Sequence, residues 1–170
     1  DQRYLNMLFA FEDRRFYEHS GVDWSAVARS AWGNVWNQKT RGASTLTMQI
    51  VKQADDLDRS PLNKAVQAWR ALRLERNASK DAILEAYLNS APYGLNLVGC
   101  ESAARRYFGK PANELTLAEA ATLAALPKSP VGLMPLKRGD AALARRDYVL
   151  DRMVEEGFIG EDDRDRAKAQ

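Results

Sequence analysis

The sequence is poor in the residues that give small domains covalent or metal reinforcement. One cysteine, Cys100, occurs in 170 residues, which rules out an internal disulfide and disfavours a cysteine-based metal site. His19 is the single histidine. Neither sign of charge dominates: 25 Lys and Arg face 23 Asp and Glu, for a formal net charge of +2. A general polyanion binder would carry a larger excess, so nucleic acid is not an expected partner and any basic site must be local. No run approaches the ~18 consecutive apolar residues of a membrane span. No apolar/polar alternation extends beyond about four positions, so strands are not expected. Repeats, low-complexity tracts and a composition shift marking a second domain are also missing.

What is present is enough apolar material for one core, 45% of the chain, and the expectation is a single domain over residues 1–170. Helical periodicity recurs in roughly eight segments, which makes the expected fold class all-α. The chain opens inside such a segment, as a domain cut from a longer protein would.

The densest chemistry lies near the start, in Glu12-Asp13-Arg14-Arg15-Phe16-Tyr17-Glu18-His19-Ser20-Gly21-Val22-Asp23. Tyr4, Leu5, Leu8 and Phe9 run into it at helical spacing, placing Glu12 and Asp13 at a helix end. The negative end of a helix dipole is an unusual place for a carboxylate. Beside apolar Phe11 and Phe16, it is the setting of a general base. The competing reading is a surface turn whose acids pair with Arg14 and Arg15.

Asp23 then serves as N-cap of a helix carrying Trp24, Val27, Ala28, Ala31, Trp32, Val35 and Trp36. The stripe suits either the core or a membrane surface, where tryptophan favours the headgroup boundary. Asn37 to Arg41 is polar and basic, with Lys39 near the same surface. The stretch from Gly42 to Lys52 places hydroxyls of Ser44 and Thr45 at a helix start whose first N–H groups suit a phosphate. Gln49 and Lys52 share a face of that helix. Ser60-Pro61 opens the next helix, with Leu62, Val66, Trp69, Leu72 and Leu74 along it. Ser79 caps another, and Thr116 with Glu119 forms a capping box. A long helix from Asp140 to Glu156 is stopped by Gly157, and a charged tail follows Phe158 and Ile159.

The pattern E-D-x-x-F-x-x-H-x-G-x-D resembles the first signature of the peptidoglycan glycosyltransferases, the family 51 transglycosylase domain of class A penicillin-binding proteins. Gly42 to Lys52 resembles the second signature, with Ala43 and Met48 as departures. Asn63-Lys64-Ala65-Val66-Gln67 occupies the place of the third, R-K-x-x-E, retaining Lys64 while Asn63 and Gln67 replace the arginine and the second glutamate. That glutamine resembles the penicillin-binding protein 1C branch of the family. Ser79 to Asn89 resembles the fourth signature, S-K-x-x-I-L-E-x-Y-L-N, and Leu123 to Pro130 a later L-A-x-L-P-x-x-P pattern.

The resemblance implies a lysozyme-like helical lobe with a smaller jaw that faces the membrane. It implies polymerisation of lipid II into β-1,4 glycan with inversion and release of undecaprenyl diphosphate. Glu12 is the expected base, and Gln67 stands where the family has a second carboxylate. Asp13, His19, Ser44, Thr45, Gln49, Lys52, Arg59 and Lys64 are the expected substrate-binding residues, and Trp32 and Trp36 the expected membrane contacts. Asp13 is expected either to orient Arg14 or to meet a divalent cation such as Mg2+; no metal ligand set is assigned. The expected partners are lipid II, the growing glycan, the membrane surface, an N-terminal transmembrane helix and a C-terminal transpeptidase-type domain. The implied location is the outer, periplasmic side of a bacterial inner membrane. Two rivals stay open: a lysozyme-like muramidase or lytic transglycosylase, and a non-catalytic helical interaction module.

Overall fold

A computed structural model of the chain describes residues 2–35, 43–55, 60–130, 132, 135 and 139–170. Among them are nine α-helices and a short 3-10 turn, and an isolated bridge between Pro92 and Val98 is the nearest approach to a strand. The all-α expectation holds. No helix among the described residues is long and apolar enough to cross a membrane.

Helix starts follow from local chemistry. Asp23 opens α2 (Trp24–Val35) by accepting from the Ala26 amide at 2.9 Å. Ser60 accepts from Asn63 N at 3.1 Å ahead of Pro61, fixing the start of α4 (Pro61–Glu75). Ser79 accepts from Ala82 N at 3.2 Å at the start of α5 (Lys80–Ser90). The Thr116/Glu119 capping box opens α7 (Leu117–Ala125) with both of its reciprocal bonds formed.

The chain divides into two compact units. One comprises Asp1–Phe11 with Leu88–Gln170. In it α1 (Gln2–Glu12) buries Tyr4, Met7, Leu8 and Ala10. The Tyr4 hydroxyl shares a 2.5 Å hydrogen bond with that of buried Tyr93. Five small alanines on α7 (118, 120, 121, 124 and 125) are buried, which allows close packing against α8 (Gly139–Glu155). The C-terminal charged tail is a further helix, α9 (Glu161–Lys168), docked on α8. Its last turn is held by the buried guanidinium of Arg146, which donates to the Lys168 carbonyl at 2.9 Å.

The other unit, Glu12–Tyr87, contains most of the sequence-predicted site. Here α3 (Leu46–Asp55) packs against α4. Val22, Met48 and Ala71 form a buried cluster with Val27, Ala68 and Leu72 against it. Gly21 has φ +92°, and a Cβ there would lie 2.6 Å from the carbonyl carbon and oxygen of Ala71. The turn after the first signature therefore presses on the α4 backbone in a way only glycine permits. Leu62 and Trp69, on α4's apolar pattern, are exposed at 75% and 58%. Val66 is partly buried.

Candidate functional site

Glu12 ends α1 and is half-buried. Gln49, on the first turn of α3, donates from Nε2 to Glu12 Oε2 at 3.0 Å. The Tyr87 hydroxyl donates to Gln49 Oε1 at 3.5 Å. The carboxamide is thus pinned at both ends, with its NH2 toward the acid.

Asp13 turns inward and is 6% exposed. Its Oδ2 accepts from the Leu46 amide at 2.9 Å. His19 Nε2 donates to the same carboxylate, at 2.9 and 3.0 Å from its two oxygens. An anion at the first turn of a helix meets the positive end of the dipole. Thr45 completes the cap: its hydroxyl accepts from Met48 N at 3.1 Å and donates to Gly21 O at 2.7 Å. Of the amides at this helix start, expected to face outward, those of Leu46 and Met48 have internal acceptors. Asp13, His19 and Thr45, expected at the substrate, are built into the fold. The rival surface-turn reading describes Arg15, which pairs with Glu18 at 2.7 Å and with Asp23 at 3.4 Å.

A basic group lies on the same pair of helices. The Lys64 ammonium donates to Ser44 Oγ, and to Gln67 Oε1 at 3.4 Å. Lys64 is exposed as a residue, yet partial desolvation, and then repulsion from Lys52, hold its ammonium below the usual lysine range. The charge that bears on Lys64 is therefore another cation, and Lys52 is exposed. Gln67 is 4% exposed; its carbonyl accepts from Lys64, and its NH2 is a donor that cannot take a proton. Two neighbouring cations with a hydroxyl and an amide make a place for a multiply charged anion.

The described residues contain no group of three His, Cys, Asp or Glu side chains able to hold a metal. Both oxygens of Asp13 accept hydrogen bonds, from His19 and from the Leu46 amide. Arg59, Trp36, Lys39 and Arg41 lie outside the described residues. Trp32 is 70% exposed, as a membrane contact requires, and Trp24, about two turns earlier on α2, is 63% exposed.

Sequence reasoning missed a second set of side chains. Thr47, fully buried on α3, donates to Glu75 Oε1 at 2.6 Å. Glu75 is ion-paired with Lys80 at 2.7 Å, and the Lys80 ammonium sits 4.5 Å from the centroid of the Phe16 ring. Phe16 and Lys80 belong to the first and fourth signature patterns, which was the available signal. Their spacing along the chain gave no hint that they meet.

Among the described residues, an all-α fold holds a half-buried carboxylate from α3 and carries one lysine on α3 and another on α4, an arrangement suited to an anionic ligand. The chain belongs to the transglycosylase family, whose model, described as Transglycosylase, matches residues 1–154. It is the kind of domain that class A penicillin-binding proteins carry. It is 44% identical over 162 residues to penicillin-binding protein 1A of Neisseria flavescens, covering 94% of this chain and 20% of that protein. With penicillin-binding protein 1C of Escherichia coli (strain K12) the identity is 43% over 156 residues, covering 91% of this chain and 20% of the relative. The crystal structure of penicillin-binding protein 1A from Haemophilus influenzae aligns with a TM-score of 0.52 at 41% identity, over 55% of this chain and 14% of that one. The chain thus spans about a fifth of the length of the curated relatives it matches.

Proposed function

We propose that this domain polymerises lipid II into β-1,4-linked glycan strands, inverting the anomeric carbon and releasing undecaprenyl diphosphate. One observation supports the reading above others. Gln49 and Lys52 share α3, so the helix that holds the Glu12 carboxylate also brings a cation to Lys64.

In this reading the 4-hydroxyl of one sugar attacks the anomeric carbon of the growing chain. As the new C–O bond forms, the bond to the diphosphate oxygen breaks and its electron pair leaves with the diphosphate. Glu12 takes the hydroxyl proton on Oε1 while Gln49 holds Oε2. Lys52 and Lys64, with Ser44 and the Gln67 NH2, receive the departing charge, the task for which preorganised cations and donors contribute most. Arg59 is the third cation proposed from its place in the sequence. Asp13, His19 and Thr45 act by fixing α3. No step is assigned to a divalent ion.

Lipid II is membrane-anchored, so the domain is read as working at the outer face of a bacterial inner membrane. The exposed Trp24 and Trp32 in the unit Glu12–Tyr87 support that unit as the membrane-facing jaw of a single 1–170 domain. The extra length of the relatives supports an N-terminal transmembrane helix and a C-terminal transpeptidase-type domain in the whole protein. The test is gel analysis of labelled lipid II incubated with the domain, with and without detergent. A ladder of glycan products is expected, falling at least ~100-fold with Glu12→Gln, the scale of a lost general base. Cleavage of preformed glycan without a ladder would assign a muramidase, and turnover of neither an interaction module.

A further inference from the structure

Two carboxylates grip α3 at neighbouring points, and side chains join those carboxylates to each other. Asp13 accepts the Leu46 amide and is held by His19. Glu75, the last residue of α4, accepts the Thr47 hydroxyl and is held by Lys80 at 2.7 and 2.8 Å. The link between the halves is Phe16: Lys80 lies over its face at 4.5 Å, and His19 meets it at a T-shaped angle with centroids 6.3 Å apart. The circuit Leu46, Asp13, His19, Phe16, Lys80, Glu75, Thr47 closes back on the start of α3. Lys80 has appreciable exposure, at 21% of its side chain, whereas Phe16 is 1% exposed and Glu75's side chain 5%.

We propose that Lys80 is a positioning residue for glycosyl transfer: by joining Glu75 to Phe16 it closes a ring of side chains that sets the pose of α3, and with it the reach of Gln49 to Glu12 and of Lys52 toward Lys64. The proposal rests on the reading of function given above. A ring restrains its members more than an open chain, since each link limits the slack of the next. Gln49 lies three residues from Leu46, about 4.5 Å along the helix at its usual rise. A small tilt at the gripped turn is therefore passed on to the amide that orients the base. A misplacement of about 1 Å is enough to cost up to ~100-fold in rate without any change in the reacting groups. A cation suits the position because it can address a carboxylate and a ring face together, which either lysine or arginine can do.

Lys80→Met removes the charge and keeps most of the chain length. In this variant kcat for lipid II should fall about ten- to a hundredfold with KM little changed, because the proposal gives Lys80 contacts with Glu75 and Phe16 and none with substrate. Lys80→Arg should recover most of the loss. Thr47→Val is the milder cut: it leaves Glu75 paired with Lys80 and carries the test if Lys80→Met does not fold. A readout independent of substrate is hydrogen exchange. In Lys80→Met and Thr47→Val the Leu46 and Met48 amides should exchange faster, while those of α8 keep their rates. If the unsubstituted domain turns over no lipid II, the functional reading fails and the ring is judged on exchange alone. Near-normal kcat, or unchanged exchange at Leu46 in both variants, overturns the proposal. So does a loss that only follows the melting temperature and is not recovered by arginine.

Discussion

Gln49 and Glu12, 37 positions apart, are joined by a 3.0 Å hydrogen bond in which the carboxamide donates to the acid. The direction of that bond matters, since a carboxylate at position 49 would offer no donor and add a like charge. Gln49→Ala should lower kcat roughly ten- to a hundredfold, the range for a hydrogen bond to a charged group. Gln49→Glu should lower it further by repulsion. Glycan ladders from labelled lipid II would measure both, with circular dichroism confirming that each variant is folded. Equal activity in Gln49→Glu and the parent would remove Gln49 from the site.

Lys64 carries a pH signature. Its ammonium is held below the ordinary value by desolvation and by Lys52, so the folded protein binds that proton less well than the unfolded chain does. The resulting penalty is present while Lys64 is charged and is relieved as pH rises through the lowered folded value. A bound diphosphate reverses the sign, pushing Lys64 back up and drawing in a proton. Pyrophosphate affinity should therefore fall as pH climbs through that lowered range. Lys52→Ala should weaken binding overall and move the fall to higher pH. Calorimetry in two buffers of different ionisation enthalpy reads the proton uptake directly.

Trp24 and Trp32 are exposed at 63% and 70%. Replacing both with serine should reduce binding to anionic vesicles and leave the thermal midpoint nearly unchanged. Buried tryptophans would behave in the opposite way, at a cost of roughly 3–5 kcal/mol each. A co-sedimentation assay and a melting curve on the same preparation decide the matter.

Gly21→Ala should destabilise the unit Glu12–Tyr87. Its φ of +92° alone costs a side chain about 1–3 kcal/mol. The added Cβ would also press on Ala71 backbone that has no room to yield. Urea titration should show a lower midpoint, and a midpoint equal to the parent's would mean the turn relaxes freely.

Much of the fold was readable where a local rule decides the outcome. Asp23, Ser60, Ser79 and Thr116 each cap the helix that the sequence assigns to them, because a cap needs only a hydroxyl or carboxylate and the next few amides. The α9 helix was not legible: eight residues rich in charge show no apolar period, and what holds them is Arg146 from another helix. The same limit applies to the site. Gln49 and Lys52 share a face by spacing alone, whereas the inward turn of Asp13 depends on Leu46, 33 positions away. Met48, a departure from the signature glutamine, lost a polar group and joined the core with Val22 and Ala71. Leu62 and Trp69 fit an apolar pattern on α4 and yet face solvent, since periodicity finds a stripe without saying what covers it.

The internal cap on α3 sets how this domain must respond to ionic strength. With the Leu46 and Met48 amides committed to Asp13 and Thr45, attraction for a diphosphate falls to ammonium groups at the ends of side chains. Lys52 is exposed and Lys64 only partly desolvated, so dissolved ions shield them, over a screening distance that shrinks from about 10 Å at 0.1 M salt to about 3 Å at 1 M. Substrate capture should weaken steeply as salt is raised, whereas the rate of the bound complex, set by contacts already formed, should change far less.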